Sequence, residues 1–346
     1  MTEVSLNRLQ FIGSRDRIYK TLPMKIIVSI LITFACVLTA LSQQAQLDTL
    51  RAEGYQALYN LDYGGARRRF HKMVELAPED PAGAQCLASS FWLQQLNESY
   101  QFKGTIYSGD GKDKSDRRQT DEFRKWIRQA KTLSEARLKK EPRNVDALYY
   151  LGAAEGLEAA YTAQVEKKYV AALRAGNSAV DHHREVIKLS PDYHDAELTI
   201  GLHNYVVGSL SLPLKMIART MGVSGSKKRG LETLERVTVE GKWARDLARI
   251  LLIDIYKREK RHEDAVKMAR ELSEKYPRNY LYKLQMADAL TLQIATLRKK
   301  KAPFKVEETE LQNIFTALSR DKSFDSSTRN LINERWTLAR QQLSQD

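Results

Sequence analysis

The sequence predicts an all-α fold, a right-handed solenoid of antiparallel helix pairs. Three observations lead there. Ala, Leu, Lys, Arg and Glu are abundant, against only 8 Pro and 17 Gly in 346 residues, and these side chains lose little rotamer freedom in a helix. Runs of Val, Ile and Thr with period-two alternation, the signature of strands, are scarce. Pro78, Pro142, Pro191 and Pro277 each end one helical pattern and stand before another.

Composition bounds the class before any motif is considered. Hydrophobic residues make up 42% and charged residues 29%, a balance that suits a folded, helix-rich protein better than a disordered one. The formal net charge is +13, and residues 1–42 hold five basic and two acidic residues, so the remainder carries +10. Such an excess suits nucleic acid, anionic lipid or an acidic partner. Here the charges are mixed along helical patterns, which reads as a solvated helical surface, and no nucleic-acid partner is expected.

The chain divides into an N-terminal leader, residues 1–42, and a repeat domain, residues 43–346. From Ile26 to Leu41 every residue is apolar, Ser or Thr. Met24-Lys25 precede this run, and Ala40-Leu41-Ser42 follow it. A positive n-region, an apolar h-region and small residues at the cleavage site make a signal peptide, with Met24 placed to be the true start. If uncleaved, the run is an anchor and the basic stretch Arg15–Lys25 stays cytoplasmic. Either way the repeat domain is expected outside the cytoplasm, touching the membrane only through this segment. Cys36 lies inside the leader, so Cys86 is the one thiol of the repeat domain. Set among Ala84, Leu87 and Ala88, it reads as a small core residue.

The repeats follow. In a helix pair repeating every 34 residues, small residues at positions 8 and 20 let the two helices approach, and a Pro near 32 ends the second. With Leu47 as position 1, Leu50, Gly54, Ala66, Phe70 and Pro78 fall at positions 4, 8, 20, 24 and 32. With Asp246 as position 1, Leu252, Tyr256, Ala265 and Pro277 fall at 7, 11, 20 and 32. Between these pairs, Leu148, Leu151 and Gly152 follow Pro142, and Ile200 and Gly201 follow Pro191, at equivalent positions. This spacing resembles the tetratricopeptide repeat. The prolines are 64, 49 and 86 residues apart, so the intervening helices are longer than standard or carry insertions. Two insertions are expected, a polar loop at Lys103–Arg118 and a segment at Leu210–Gly230.

Gly201–Leu234 resembles a segment of the tetratricopeptide-repeat-39 and inclusion-body-clearance family. The matching positions are Gly201, Ser209 to Pro213, Gly222, Gly225, Gly230 and Leu231. The resemblance implies an all-helical interaction protein and no catalysis. That family carries an acid just after the Gly-x-x-Gly step where this chain has Ser226, so no role of that acid carries over. On its own residues, Pro213 opens a short amphipathic helix with Leu212, Leu214, Met216, Ile217 and Met221 at helical spacing. It reads as packed over the solenoid, as a lid, or as a membrane-touching helix with Lys215 and Arg219 on its polar side.

No catalytic or metal constellation emerges. His182, His183, His194 and His203 lack the i, i+4 spacing of helical zinc ligands. There is no Gly-x-Ser-x-Gly, P-loop or dinucleotide pattern, and no cofactor is expected. The candidate site is the concave face, lined by helix-A positions 2, 5, 9, 12 and 13. These positions hold Arg51, Tyr55 and Tyr59 in the first repeat, Asp146 and Tyr149 in the third, Tyr205 in the fourth, and Asp254, Lys257 and Arg258 in the last. Tyr and Arg anchor interfaces, and the set suggests a groove for a peptide or partner helix. The sequence therefore reads as a non-enzymatic protein–protein scaffold of the cell envelope. A solute-binding accessory subunit of an envelope transporter is the alternative, and a hydrolase using the His182–His203 region stands behind both.

Overall fold

A computed structural model describes residues 24–103 and 117–345. Expectations for residues 1–23, and for most of the polar loop after Lys103, fall outside these. The chain forms two units, residues 1–48 and 49–346. Helix α1 (Met24–Tyr59) supplies all the described structure of the first unit and runs into the second. Among the described residues no helix is long and apolar enough to cross a membrane, and no strand occurs.

The second unit is a succession of helix pairs. After α1 come α2 (Tyr63–Leu76), α3 (Pro81–Lys103), α4 (Arg117–Lys140), α5 (Val145–Gln164) and α6 (Tyr169–Leu189). A single 3₁₀ turn, His194–Ala196, leads into α7 (Glu197–Ser209), and the short α8 (Leu212–Thr220) separates it from α9 (Lys227–Glu240). Then follow α10 (Arg245–Arg258), α11 (His262–Lys275), α12 (Tyr280–Lys299), α13 (Lys305–Arg320) and α14 (Ser326–Gln345). Within pairs, α3 packs on α4, α5 on α6, α7 on α9, α10 on α11 and α12 on α13, and each pair stacks on the next.

Local sequence explains the boundaries. Ala77, Ser190 and Tyr276 end α2, α6 and α11 with ψ of 72°, 87° and 69°. Each precedes a proline, whose ring drives its predecessor out of the helical region. Starts are capped by side chains that satisfy free backbone N–H groups. Asp62 accepts from Gly65 N at 2.7 Å, Asn144 from Ala147 N at 3.0 Å, and Asn279 from Leu281 N at 3.0 Å. The small residues at position 8 act as expected. A Cβ on Gly54 would stand 2.2 Å from the Phe70 ring, and one on Gly152 would stand 2.5 Å from His183.

The uneven proline spacing also has a cause. The 64-residue interval holds the long pair α3–α4, whose helices span 23 and 24 residues. The 86-residue interval holds two pairs, because the junction between α9 and α10 has no proline. Buried Asp195 makes that junction instead. Its Oδ1 accepts from the backbone N of Lys242, Trp243 and Ala244 at 2.7, 3.0 and 3.0 Å. A carboxylate holding consecutive N–H groups at the entry to α10 satisfies donors the helix cannot.

Candidate functional site

The predicted concave residues converge, but on one another and on helices far along the chain. Arg51 is buried. Its Nη2 donates to Tyr150 Oη at 2.5 Å, and its guanidinium lies 4.9 Å from the Trp243 ring centre. Tyr55 stacks on Tyr59 at 5.8 Å, meets Phe70 edge-on at 5.5 Å, and lies 6.4 Å from Trp243. Tyr59 sits 5.2 Å from Tyr276, and its carbonyl accepts from Asn279 Nδ2 at 2.9 Å. Nearby, Arg278 N donates to Asn60 Oδ1 at 3.2 Å. In a simple array each repeat touches only its neighbours, whereas the contacts of Tyr59 and Asn60 join residues 217 to 220 positions apart.

Tyr149 is half-buried and belongs to the same interior, 4.8 Å from Tyr193 and 5.3 Å from the His183 ring, stacked on the latter. Burial holds the Tyr55, Tyr59 and Tyr149 phenols neutral, well above the ordinary tyrosine range. Cys86 Sγ lies 3.7 Å from Tyr55 Oη, and burial raises its thiol pKa as well. At the predicted concave positions Arg51 and Tyr59 are thus buried and Tyr55 and Tyr149 half-buried, all four packed against rings from other helices of the chain.

The other predicted residues disperse. Tyr205 is buried and donates to Glu259 Oε1 at 2.8 Å, an oxygen that Lys227 Nζ also reaches at 2.7 Å. Asp254 is buried and pairs with Lys257 at 2.7 Å. Asp146 and Arg258 are exposed, and Tyr193 Oη donates to Asp146 at 3.4 Å. The predicted residues thus divide between an interior cluster, a buried ion pair and separate positions.

The histidines have local roles. His183 is buried, and its Nε2–H donates to the Tyr149 carbonyl at 2.9 Å, while desolvation lowers its pKa to about 4. His182 pairs with Glu155 at 3.0 Å, which raises its pKa. His194 Nδ1 lies 3.2 Å from Glu240 and 3.6 Å from Glu197, the one trio of possible metal ligands among the described residues. The Arg236 guanidinium grips Glu197 through two bonds of 2.7 and 2.8 Å. A fixed cation there competes with a metal for the same carboxylate, so the trio reads as an ion-paired network.

One surface feature has no signature in the sequence. Arg184 of α6, Asn204 of α7, Ser224, and Arg229, Glu232, Thr233 and Arg236 of α9 line a polar pocket of about 290 Å³. Three guanidiniums from two helices meet there although 52 residues separate the first from the last. No local spacing signals such a meeting.

No family model matches the chain, and no curated protein matches it. Solved structures similar to this chain include two tetratricopeptide repeat proteins. One is a thermophilic TPR protein of Thermus thermophilus, at 16% identity and a TM-score of 0.40, covering 72% of this chain and 98% of that one. The other is a tetratricopeptide repeat protein from Parabacteroides merdae, at 13% identity and a TM-score of 0.30, covering 86% of this chain and 99% of that one. The architecture is tetratricopeptide-like. That statement rests on this chain's own helix pairs, their proline stops and the glycine contacts between them.

Proposed function

We propose that this chain is a non-catalytic scaffold that binds an acidic, extended segment of a partner protein across α6, α7 and α9. The observation that carries this reading is that Arg184, Arg229 and Arg236 line one polar surface pocket, where a partner carboxylate would share Arg236 with Glu197 and Arg184 with Asp181. Guanidinium groups present fixed forks that match carboxylates in pairs. The partner is met outside the cytoplasm, with Ile26–Leu41 acting as export signal. That placement is supported by the sequence of the leader.

The test is fluorescence anisotropy of a labelled Asp/Glu-rich peptide, titrated with the full chain across a salt series. Binding should weaken with salt and fall at least tenfold when Arg184, Arg229 and Arg236 are all changed to Ala. Equal binding by the triple variant would sink the proposal. Fractionation of the tagged chain from cells, with N-terminal sequencing of the mature form, tests the compartment. Recovery of an intact chain in the cytoplasm would exclude export.

A second reading, binding of an anionic solute, is favoured by Arg51, whose buried Nε has no hydrogen-bond partner among the described residues. Native mass spectrometry of the purified chain checks it. A co-purifying acid released by Arg51→Met would favour it over the scaffold.

A further inference from the structure

Helix α8 stands out from the helix pairs with an apolar face turned to solvent. Its inner side is anchored, since Ala218 packs with Val207 and Val223, supported by Leu173, Leu210 and Met221. Its outer side is not covered. Leu212 is 79% exposed, Met216 67% and Ile217 41%. At about 100° per residue, Leu212, Pro213, Met216 and Ile217 occupy one arc, which also holds exposed Thr220. Lys215 and exposed Arg219 lie along one edge of it, with buried Ala218 on the opposite side of the helix. Exposed Tyr169 and Val170 lie one turn before Leu173 on α6 and directly follow Lys167 and Lys168.

Charge identifies what covers this face. Residues 198–231 hold not one Asp or Glu; of their five basic residues, Lys227 and Lys228 pair with Glu259 and Glu232, Arg229 lines the arginine pocket, and Lys215 and Arg219 lie on α8 itself. An isologous contact between two copies would set two such segments against each other, and like charge opposes it. An anionic bilayer surface suits both properties. Apolar side chains reach the acyl boundary, while Lys and Arg at the edge of the arc keep their charges at the headgroups.

We propose that α8 is an interfacial docking helix that seats this chain on anionic membranes, with Leu212, Met216 and Ile217 inserted and Lys215 and Arg219 on the headgroups. Insertion is parallel to the surface, since the helix has nine residues and does not span. This surface is separate from the arginine pocket, and it requires no export signal to operate.

The test uses the full chain with Cys36→Ser, so that the buried Cys86 is the remaining native thiol. An environment-sensitive NBD probe is attached at Met216→Cys, and in a second protein at Val306→Cys, a site 78% exposed and equally apolar in type. Vesicles of phosphatidylcholine are compared with vesicles in which about one lipid in three is anionic phosphatidylglycerol. The expected result is a blue shift at 216 that chain-brominated lipid quenches, present with anionic vesicles and absent at 306. Leu212→Asp should abolish the shift. Changing Lys215 and Arg219 to Gln should raise the lipid concentration needed more than tenfold, each charge counting for about a fivefold change.

Several outcomes overturn the proposal. One is no shift at 216, and another is equal shifts at 216 and 306. A third is a response indifferent to lipid charge and to the Gln variant. A shift that grows with protein concentration in the absence of lipid assigns the face to a second copy. A shift obtained only on adding a protein fraction assigns it to a protein partner.

Discussion

Replacing Gly230 with alanine places a methyl group where two backbones already touch. The new Cβ would stand 2.4 Å from Tyr205 N, 2.7 Å from Gly201 O and 2.8 Å from Tyr205 Cα. Carbon contacts settle near 3.5–4.0 Å, so α7 and α9 must part by about 1 Å along this crossing. None of the three atoms is on a side chain that can swing away. Overfilling a packed site costs about 1–3 kcal/mol, and an immovable backbone puts this position at the upper end. Alanine returns about 1 kcal/mol through helix propensity, which leaves a net loss of about 2 kcal/mol. Urea titration followed by circular dichroism should show a lower midpoint at unchanged slope. Hydrogen exchange should accelerate first in α7 and α9, the helices being separated. Gly64→Ala supplies the opposite sign, because its Cβ would meet only Arg68 Nη1 at 3.5 Å and Asp62 Oδ1 at 3.9 Å. It should be neutral or stabilising by up to about 1 kcal/mol. A Gly230→Ala protein as stable as its parent would refute the reasoning from close approach.

Three further expectations follow from the interior. His183, buried and neutral with a pKa of about 4, binds its proton more readily when unfolded. Its contribution is therefore complete above the unfolded pKa of about 6.5 and is lost as pH falls toward 4, amounting to about 2 kcal/mol by pH 5. His182, whose pKa is raised first by its hydrogen bond to Glu155, acts with the opposite sign, so His183→Asn is the comparison that isolates the effect. If parent and variant lose equal stability between pH 8 and 5, the assignment fails. Cys86 should resist thiol reagents in the native chain and react on unfolding, since its thiol is buried with a raised pKa; rapid native labelling would contradict the packing. Arg51→Met should leave stability within about 1 kcal/mol of the parent or raise it, because a buried guanidinium held by a hydroxyl and ring faces recovers little of its desolvation cost. A loss above about 3 kcal/mol in urea unfolding would mean that the charge is a net stabiliser.

Much of the helical order was legible without coordinates. Proline acts on its own neighbours, so Pro78, Pro142, Pro191 and Pro277 mark real helix ends. Gly54, Gly152 and Gly201 could be placed at helix crossings because a period of about 3.6 fixes which residues face a partner helix. The short helix opened by Pro213 was also readable.

The remainder depended on contacts between distant residues. The α9–α10 junction escaped notice because its cap, Asp195, lies 47 residues before Lys242, and nothing near Lys242 announces it. The concave positions were identified as a convergent set, yet periodicity says only which face a residue occupies and not what comes to cover that face. Tyr59 is covered by Tyr276 and Asn279, a pairing that only the folded chain creates. Leu212 and Met216 present the reverse case, since apolar residues at helical spacing read alike whether they point to a core or to solvent. The sequence alone determined the helices, their stops and the apolar leader, because those are local properties of backbone and side chain. The tertiary structure decided which aromatic face closed, which arginines met and which apolar face stayed open, because each of these depends on chain segments that sequence order keeps apart.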